Sequence, residues 1–393
     1  MILAHKIQLD PNNVQQTYFA KACGVARFAY NWALAEWKRH YEAGEKVSEA
    51  QLRKHLNAIK RESFPWMLEV TKCAPQLSIM NLGTAFKNFF AGHAKYPQFK
   101  KKGRHDSFEI SNDQFALKGQ AIRIPGLGWV RLMESLRFSG KILGATISRT
   151  ADKWFVSIQV EMPDAMPIHS GENQAVGVDL GVSNLATLSD GTIIEGPKPH
   201  KALLFRLARL NRSLSRKLGA KKGEKKSKNF IKAGKKLSKL HARIGNIRRD
   251  ALHKLTTDLT QTYSTIGIED LNVSGMVKNR RLSRSIMDMS FFEFRRQLEY
   301  KSSITGSVLV VADRFYPSSK MCSKCGYKAD AMPLNVRMWT CPGCGTERDR
   351  DINAAMNLEN MAASSAVTAC GEMVQQGRLV KQEHNIKPTY GQV

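Results

Sequence analysis

Acidic residues are scarce in this chain. Its 393 residues hold 34 Asp and Glu against 61 Lys and Arg, a formal net charge of +27, and a surface of that kind needs a polyanionic partner. Long apolar runs are missing too. No stretch approaches the ~18–20 residues that a membrane-spanning helix requires, and no amphipathic basic tail is present. Nucleic acid is therefore the expected polyanion, with no membrane partner. The opening MILAHKIQLD lacks a cationic leader and an apolar signal core, so the expected location is the cytoplasm of a prokaryotic cell, with the nucleoid, and the cysteines are expected to be reduced. Cysteine is sparse, at seven residues. Cys23, Cys73 and Cys370 stand alone and read as small buried hydrophobes.

The other four are paired. Cys322-Ser-Lys-Cys325 and Cys341-Pro-Gly-Cys344 are separated by fifteen residues, and each pair is followed by glycine, Gly326 and Gly345. Glycine permits the tight knuckle in which two thiolates wrap one ion, so this spacing predicts a four-cysteine zinc site. Four protein ligands leave no open position, which makes the zinc structural.

Upstream, the period of the apolar residues changes along the chain. Residues 13–96 read as helices, with Val25, Phe28, Trp32, Leu34 and Trp37 at mostly three- and four-residue steps. Residues 97–170 switch to alternation. Trp154, Val156, Ile158 and Val160 share one face of a half-buried antiparallel strand, and Ile7 and Leu9 alternate similarly, so the first strand is expected in that sheet with the helices inserted. From residue 173, AVGVDLGVSNLATLSDGTIIEG reads as a three-strand meander whose first strand is Ala175 to Asp179.

In that strand Gly177 and Asp179 share a face opposite Val176 and Val178. YSTIGIEDL repeats the arrangement with Gly267 and Glu269 opposite Ile266 and Ile268. The expectation is that each glycine leaves room beside the sheet for metal ions and a phosphate. A third acid, Asp351, opens a segment in which Ala354 and Ala355 let a helix approach a sheet closely; an acid at a helix start is also favoured simply as a cap. Together the three can hold a pair of divalent ions about 3.5–4 Å apart for phosphodiester hydrolysis, and hard oxygen ligands select Mg²⁺, with Mn²⁺ able to substitute, over zinc.

The motifs GVDLGVSNLATLSDG, GIEDL, NRRLSRSIMD, FRRQLEYK, SSKMCSKCGYK and WTCPGCGTERDRDINAAMN, with RFAYNWAL and YPQFKKKGR upstream, resemble the TnpB family of transposon-encoded RNA-guided nucleases, relatives of the compact type V CRISPR effectors. The resemblance runs to about residue 360. It implies an α/β plus β-barrel fold class: an RNase H-like (RuvC) nuclease domain (173–320 and 347–372) with an inserted zinc ribbon that binds target nucleic acid (321–346), preceded by a wedge β-barrel (1–12 and 97–172) carrying a helical recognition insertion (13–96), and a flexible tail (373–393). It implies catalysis by Asp179, Glu269 and Asp351, with Asp349 as a weaker candidate. It also implies a guide RNA, a target of double-stranded DNA cut beside a short flanking motif, and a favoured monomer.

Residues 201–250 hold eighteen Lys and Arg against Glu224 and Asp250. Leu203, Leu207, Leu210 and Leu214 at helical spacing precede a KLGAKKGEKKSKN centre, which predicts a helical hairpin with a basic outer face; Arg212, Arg216, Lys217, Lys235 and Lys236 are its candidate phosphate contacts. For the flanking motif, the resemblance points to Lys72, Gln76, Ser111 and Asn112, whose side chains can reach base edges. Pro75 fits only the first turn of a helix. A guided binder that no longer cuts, a compact type V CRISPR effector and a strand-transferring transposase are the competing readings. The first requires loss of an acid, and all three are present.

Overall fold

The computed structural model describes residues 1–162, 174–218, 226–333 and 336–376. It divides into two compact units at residue 164. In the first, β1 (Ile2–Asp10) leads into α1 (Asn13–Glu42), α2 (Glu49–Ser63) and α3 (Cys73–Phe90). Six strands follow: β2 (Ser107–Ser111), β3 (Ala116–Lys118), β4 (Ala121–Ile124), β5 (Gly128–Leu132), β6 (Lys141–Thr150) and β7 (Lys153–Glu161). Asn12 and Gln15 form a reciprocal capping box that starts α1. Pro75 lies in the first turn of α3, where its missing N–H would have had no helical partner.

All seven strands join one antiparallel sheet in the order β2-β6-β7-β1-β5-β4-β3. As the alternation of Ile7 and Leu9 predicts, β1 lies inside this sheet, against β7 over eight residue pairs from Ile2↔Glu161 to Leu9↔Trp154. Trp154, Val156, Ile158 and Val160 are buried and pack with Phe19, Ala22 and Ala26 of α1 in one core. The helices between β1 and β2 are thus an insertion that covers the sheet. The pairings among the described residues include no ladder between the outer strands β2 and β3.

The second unit starts with β8 (Ala175–Asp179), β9 (Ala186–Leu188), β10 (Ile193–Ile194), α4 (Pro199–Ala202), α5 (Leu204–Ser215) and α6 (Lys228–Thr262). It continues through β11 (Thr265–Ile268), α7 (Val273–Met276), α8 (Ser283–Met289), α9 (Phe291–Thr305) and β12 (Val308–Val311). The unit closes with β13 (Met338–Thr340), β14 (Glu347–Asp349) and α10 (Arg350–Gln376). Five strands form a sheet in the order β10-β9-β8-β11-β12. The first three form the antiparallel meander, and β11 runs parallel to both β8 and β12. That order and these directions are those of an RNase H-like core. Val176, Val178, Ile266 and Ile268 pack on one face against Leu252, Leu255 and Leu259 of α6 and Phe294 and Leu298 of α9.

The other face carries α10, and here the sequence expectation is corrected. A Cβ on Gly177 would lie 1.8 Å from the Ala355 carbonyl oxygen, and one on Gly267 would lie 2.4 Å from that of Leu358. The space beside these glycines is filled by helix backbone rather than left for ions. Fully buried Ala354 and Ala355 complete the close approach. The helix runs to Gln376, four residues into the segment expected as a tail from 373; residues from 377 and the hairpin centre at 219–225 lie outside the described residues.

Candidate active site and metal centre

Asp179 is the last residue of β8. Glu269 is the first after β11. The parallel register ends at Val178↔Ile268, so both carboxylates leave neighbouring strands one residue beyond the last pair. Asp351 stands one helical turn before Ala355, whose carbonyl covers Gly177, and so caps the same strand ends. The electrostatics register this convergence: Asp179 is pushed up to about 8, first by burial and then by the carboxylates of Glu269 and Asp351. The negative charges beside it disfavour the ionised form of Asp179.

Asp349, Asp351 and Glu269 each have a holding contact. Asp349 Oδ1 accepts hydrogen bonds from the backbone N–H groups of Asp351 and Ile352 at 2.8 and 3.1 Å, so the helix cap is Asp349. The Asp351 side chain is left for other contacts. Its Oδ2 lies 2.6 Å from Arg337 Nη1 and its Oδ1 3.2 Å from Arg350 Nη2. Glu269 accepts a hydrogen bond from the Ser318 hydroxyl. Sequence reasoning missed Arg337 and Ser318, because each reaches the site from a loop far along the chain and belongs to no periodic segment. Beside Glu269 opens a cavity of about 460 Å³ lined in part by Leu180, Asn272, Phe292, Arg295 and Arg314. Asp270 ion-pairs with both of those arginines.

The four cysteines form the second centre. Their sulfurs lie within 4.8 Å of one another, and among the described residues no other set of three or more His, Cys, Asp or Glu side chains is so closely gathered. Two matched knuckles build it. Gly326 N–H donates to Cys322 O at 2.9 Å and Gly345 N–H to Cys341 O at 2.8 Å, with both glycines at φ near +70°, a conformation that favours glycine. Across the pairs the sulfurs lie only 3.6 and 3.7 Å apart. The set fits a tetrahedral metal.

Two asparagines on α10 tie this ribbon to the acids. Asn353 and Asn357, both buried, donate to Met321 O at 2.7 and 2.6 Å. Asn353 Oδ1 also accepts the Ser323 N–H at 2.9 Å. The strand β14 runs directly into α10, so the ribbon ends on the helix that carries Asp351.

The candidate nucleic-acid contacts fall into two groups. In the first unit, Cys73 Sγ lies 3.3 Å from Ser111 Oγ, which brings Lys72 and Gln76 at the start of α3 beside Ser111 and Asn112 at the end of β2. Lys72 and Asn112 are exposed, and Gln76 and Ser111 half-buried. In the second, Leu207, Leu240 and Ile244 form the seam of an α5–α6 hairpin. Arg212, Arg216, Lys217, Lys235 and Lys236 are exposed at one end of it, where Leu214 faces Gly234. Cys23 and Cys73 are buried, as expected, and burial pushes the Cys23 thiol up to about 12. The Cys370 side chain lies outside the described residues. Among the described residues no helix is long and apolar enough to cross a membrane.

Three family models match the chain: OrfB_IS605, "Probable transposase", over residues 157–280; the "Cas12f1-like, TNB domain" over 291–358; and a "Helix-turn-helix domain" over 1–46. Residues 1–46 here form β1 and one unbroken helix, α1, with no second helix. The chain is 37% identical over 401 residues to the Escherichia coli K12 protein named "Putative RNA-guided DNA endonuclease InsQ", covering 97% of this chain and 96% of the relative. It is 38% identical over 386 residues to a Streptomyces pristinaespiralis protein named "Putative RNA-guided DNA endonuclease", covering 95% and 92%. Over 138 residues, 34% of this chain and 26% of the relative, it is 30% identical to the mimivirus "TnpB-like protein L79". With these family models matched and with 37–38% identity along nearly the whole chain to such relatives, the chain belongs to the TnpB family.

Proposed function

We propose that the protein is an RNA-guided DNA endonuclease that uses a transposon-derived guide RNA and hydrolyses both strands of target DNA beside a short flanking motif. The observation that carries this reading is the convergence of Asp179, Glu269 and Asp351 at the ends of β8 and β11 and the start of α10, in a chain matched along 95–97% of its length to relatives named for that activity. The second unit is then a RuvC-like nuclease domain with its ribbon, and the first a wedge barrel with a recognition insertion.

Hard carboxylate oxygens fit Mg²⁺ or Mn²⁺, and Asp179, Glu269 and Asp351 would hold two such ions. Bound there, the ions supply activation of the attacking water and charge neutralisation at the leaving oxygen. The remaining work belongs to the chain. Asp179, whose burial and acidic neighbours favour its protonated form, would hold an ion as the carboxylate, its proton passing to solvent. The Ser318 hydroxyl fixes the orientation of Glu269, and Asp349 takes over helix capping so that Asp351 does not. Arg337 and Arg350 hold Asp351 and bring positive charge to where a phosphate must sit. The four cysteines would hold zinc in a purely structural role, stiffening the ribbon against α10.

Lys72, Gln76, Ser111 and Asn112 would read the flanking motif, and the α5–α6 hairpin would track phosphates. Guide pairing supplies sequence recognition. The test is Asp179→Ala. It is expected to abolish Mg²⁺-dependent cutting of both strands while guide-matched DNA still binds, because affinity comes from phosphate contacts and pairing. Cleavage within about tenfold of the parent would remove the carboxylate mechanism, since losing one member of a catalytic unit costs far more than that.

A further inference from the structure

The segment YPQFKKKGR, residues 96–104, has no role in the reading above, yet it is firmly held. Asn31 on α1 donates through Nδ2 to Lys100 O at 2.9 Å and accepts the Lys100 N–H at 2.8 Å. The Lys100 ammonium lies 4.1 Å from the centre of the Tyr30 ring. Asp106 Oδ1 accepts the Gly103 N–H at 3.1 Å and faces Arg27 at 3.4 Å. Tyr96 packs edge-on to Phe86 and Phe89 of α3. These anchors use the backbone and the flanking side chains. Lys101, Lys102 and Arg104 are left exposed, and none has a carboxylate partner among the described residues. Fixing an irregular segment costs chain entropy, and the arrangement holds three unpaired cations on a rigid support.

We propose that this strap is a backbone clamp for double-stranded DNA, gripping the duplex that carries the flanking motif. The inference rests on the assignment of Lys72, Gln76, Ser111 and Asn112 to that motif. The strap runs directly into β2, which begins at Ser107 and ends at Ser111. Four residues of strand span about 13 Å, which is about four base pairs of duplex. In this proposal the duplex axis follows β2, so that a duplex whose base edges lie at Ser111 and Asn112 brings its phosphates to the strap a few base pairs away. Held cations suit that task, for a phosphate contact positions the duplex without reading its sequence.

The test uses the full chain with its guide RNA, in the Asp179→Ala background so that DNA is held and not cut. The strap variant carries Lys101→Gln, Lys102→Gln and Arg104→Gln and leaves every anchor intact. Binding is measured across salt concentrations on matched DNA with a long flanking duplex, and on matched DNA truncated directly after the motif. On the long flank, the salt slope of the strap variant should be shallower by about 2–3, from three lost contacts. On the truncated DNA the two proteins should agree, and flanking-sequence preference and bound RNA should not change. Equal slopes on the long flank, an equal deficit on the truncated DNA, or a loss of guide RNA would each overturn the proposal, the last by making RNA the partner. Failure of the motif assignment shows separately, as an unchanged flanking preference in Gln76→Ala, while the length dependence still reads the strap. Should guided binding be absent altogether, unmatched duplex gives the same slope comparison.

Discussion

Gly177 and Gly267 show how much of the site depends on side chains that are missing. Any Cβ at Gly177 collides with the backbone of α10 at Ala355, and backbone cannot swing aside as a side-chain tip can. Gly177→Ala should therefore displace the helix that carries Asp351, costing about 1–3 kcal/mol or more as overpacking and lowering cleavage far more than RNA binding. Chemical denaturation together with a cleavage assay checks this; wild-type stability and rate in the variant would contradict it. Asp179 and Glu269 were legible in the sequence because each ends a buried apolar strand with a charge, and Asp351 because it opens a helix. The purpose of the glycines was not, because a one-chain pattern reveals an empty face without revealing what fills it. Arg337 was illegible for a similar reason: its partner Asp351 is fourteen residues away, beyond the second cysteine knuckle.

At the scale of elements, the ribbon and α10 act together through Asn353 and Asn357. Cys341→Ser leaves three thiolates for the ion, and structural zinc contributes folding free energy outright. The ribbon should unfold locally, zinc content should fall, and cleavage should drop while RNA stays bound; normal cutting without zinc would refute the structural assignment. A different dependence is built into the α6–α9 contact. Lys301 donates only to neutral groups, His253 O and the hydroxyls of Thr256 and Thr257, and burial pulls its ammonium down to about 8. Its folded pKa lies below the unfolded value, so the folded state binds fewer protons between the two. The penalty of the charged form is present below about 8 and disappears as pH rises toward 10.5. Lys301→Met should then stabilise the protein at pH 7, by roughly 1–2 kcal/mol, with the gain shrinking toward pH 9.5; a destabilised variant at pH 7 in urea melts would contradict this. The long helices and the period-two strands were legible from their apolar spacing. The short α4 and α8 were not, since they are held by tertiary contacts: buried Asp288 accepts the His200 and Lys201 N–H groups at 3.1 and 3.0 Å and pairs with Arg248.

For the molecule as a whole, charge and motif order carried most of the reading. A formal charge of +27 must be neutralised, so the purified protein is expected to carry a structured RNA and to be poorly soluble without it. Absorbance ratios and sequencing of the extracted RNA check this, and stable, monodisperse, nucleic-acid-free protein at moderate salt would count against it. The placement of a sheet around an inserted helical segment followed consecutively along the chain, and so could be read from it. Positions where distant segments meet could not, because periodicity reports only which face is buried. The most direct test of guided cleavage is to load the protein with a guide RNA redesigned to a chosen sequence. The complex is then incubated with Mg²⁺ and a plasmid library bearing that sequence beside randomised flanks. Double-strand breaks confined to matched plasmids with one short flanking motif, and lost when the guide is changed or Mg²⁺ is chelated, are the predicted result; intact matched plasmids, or equal cutting of unmatched ones, would contradict it.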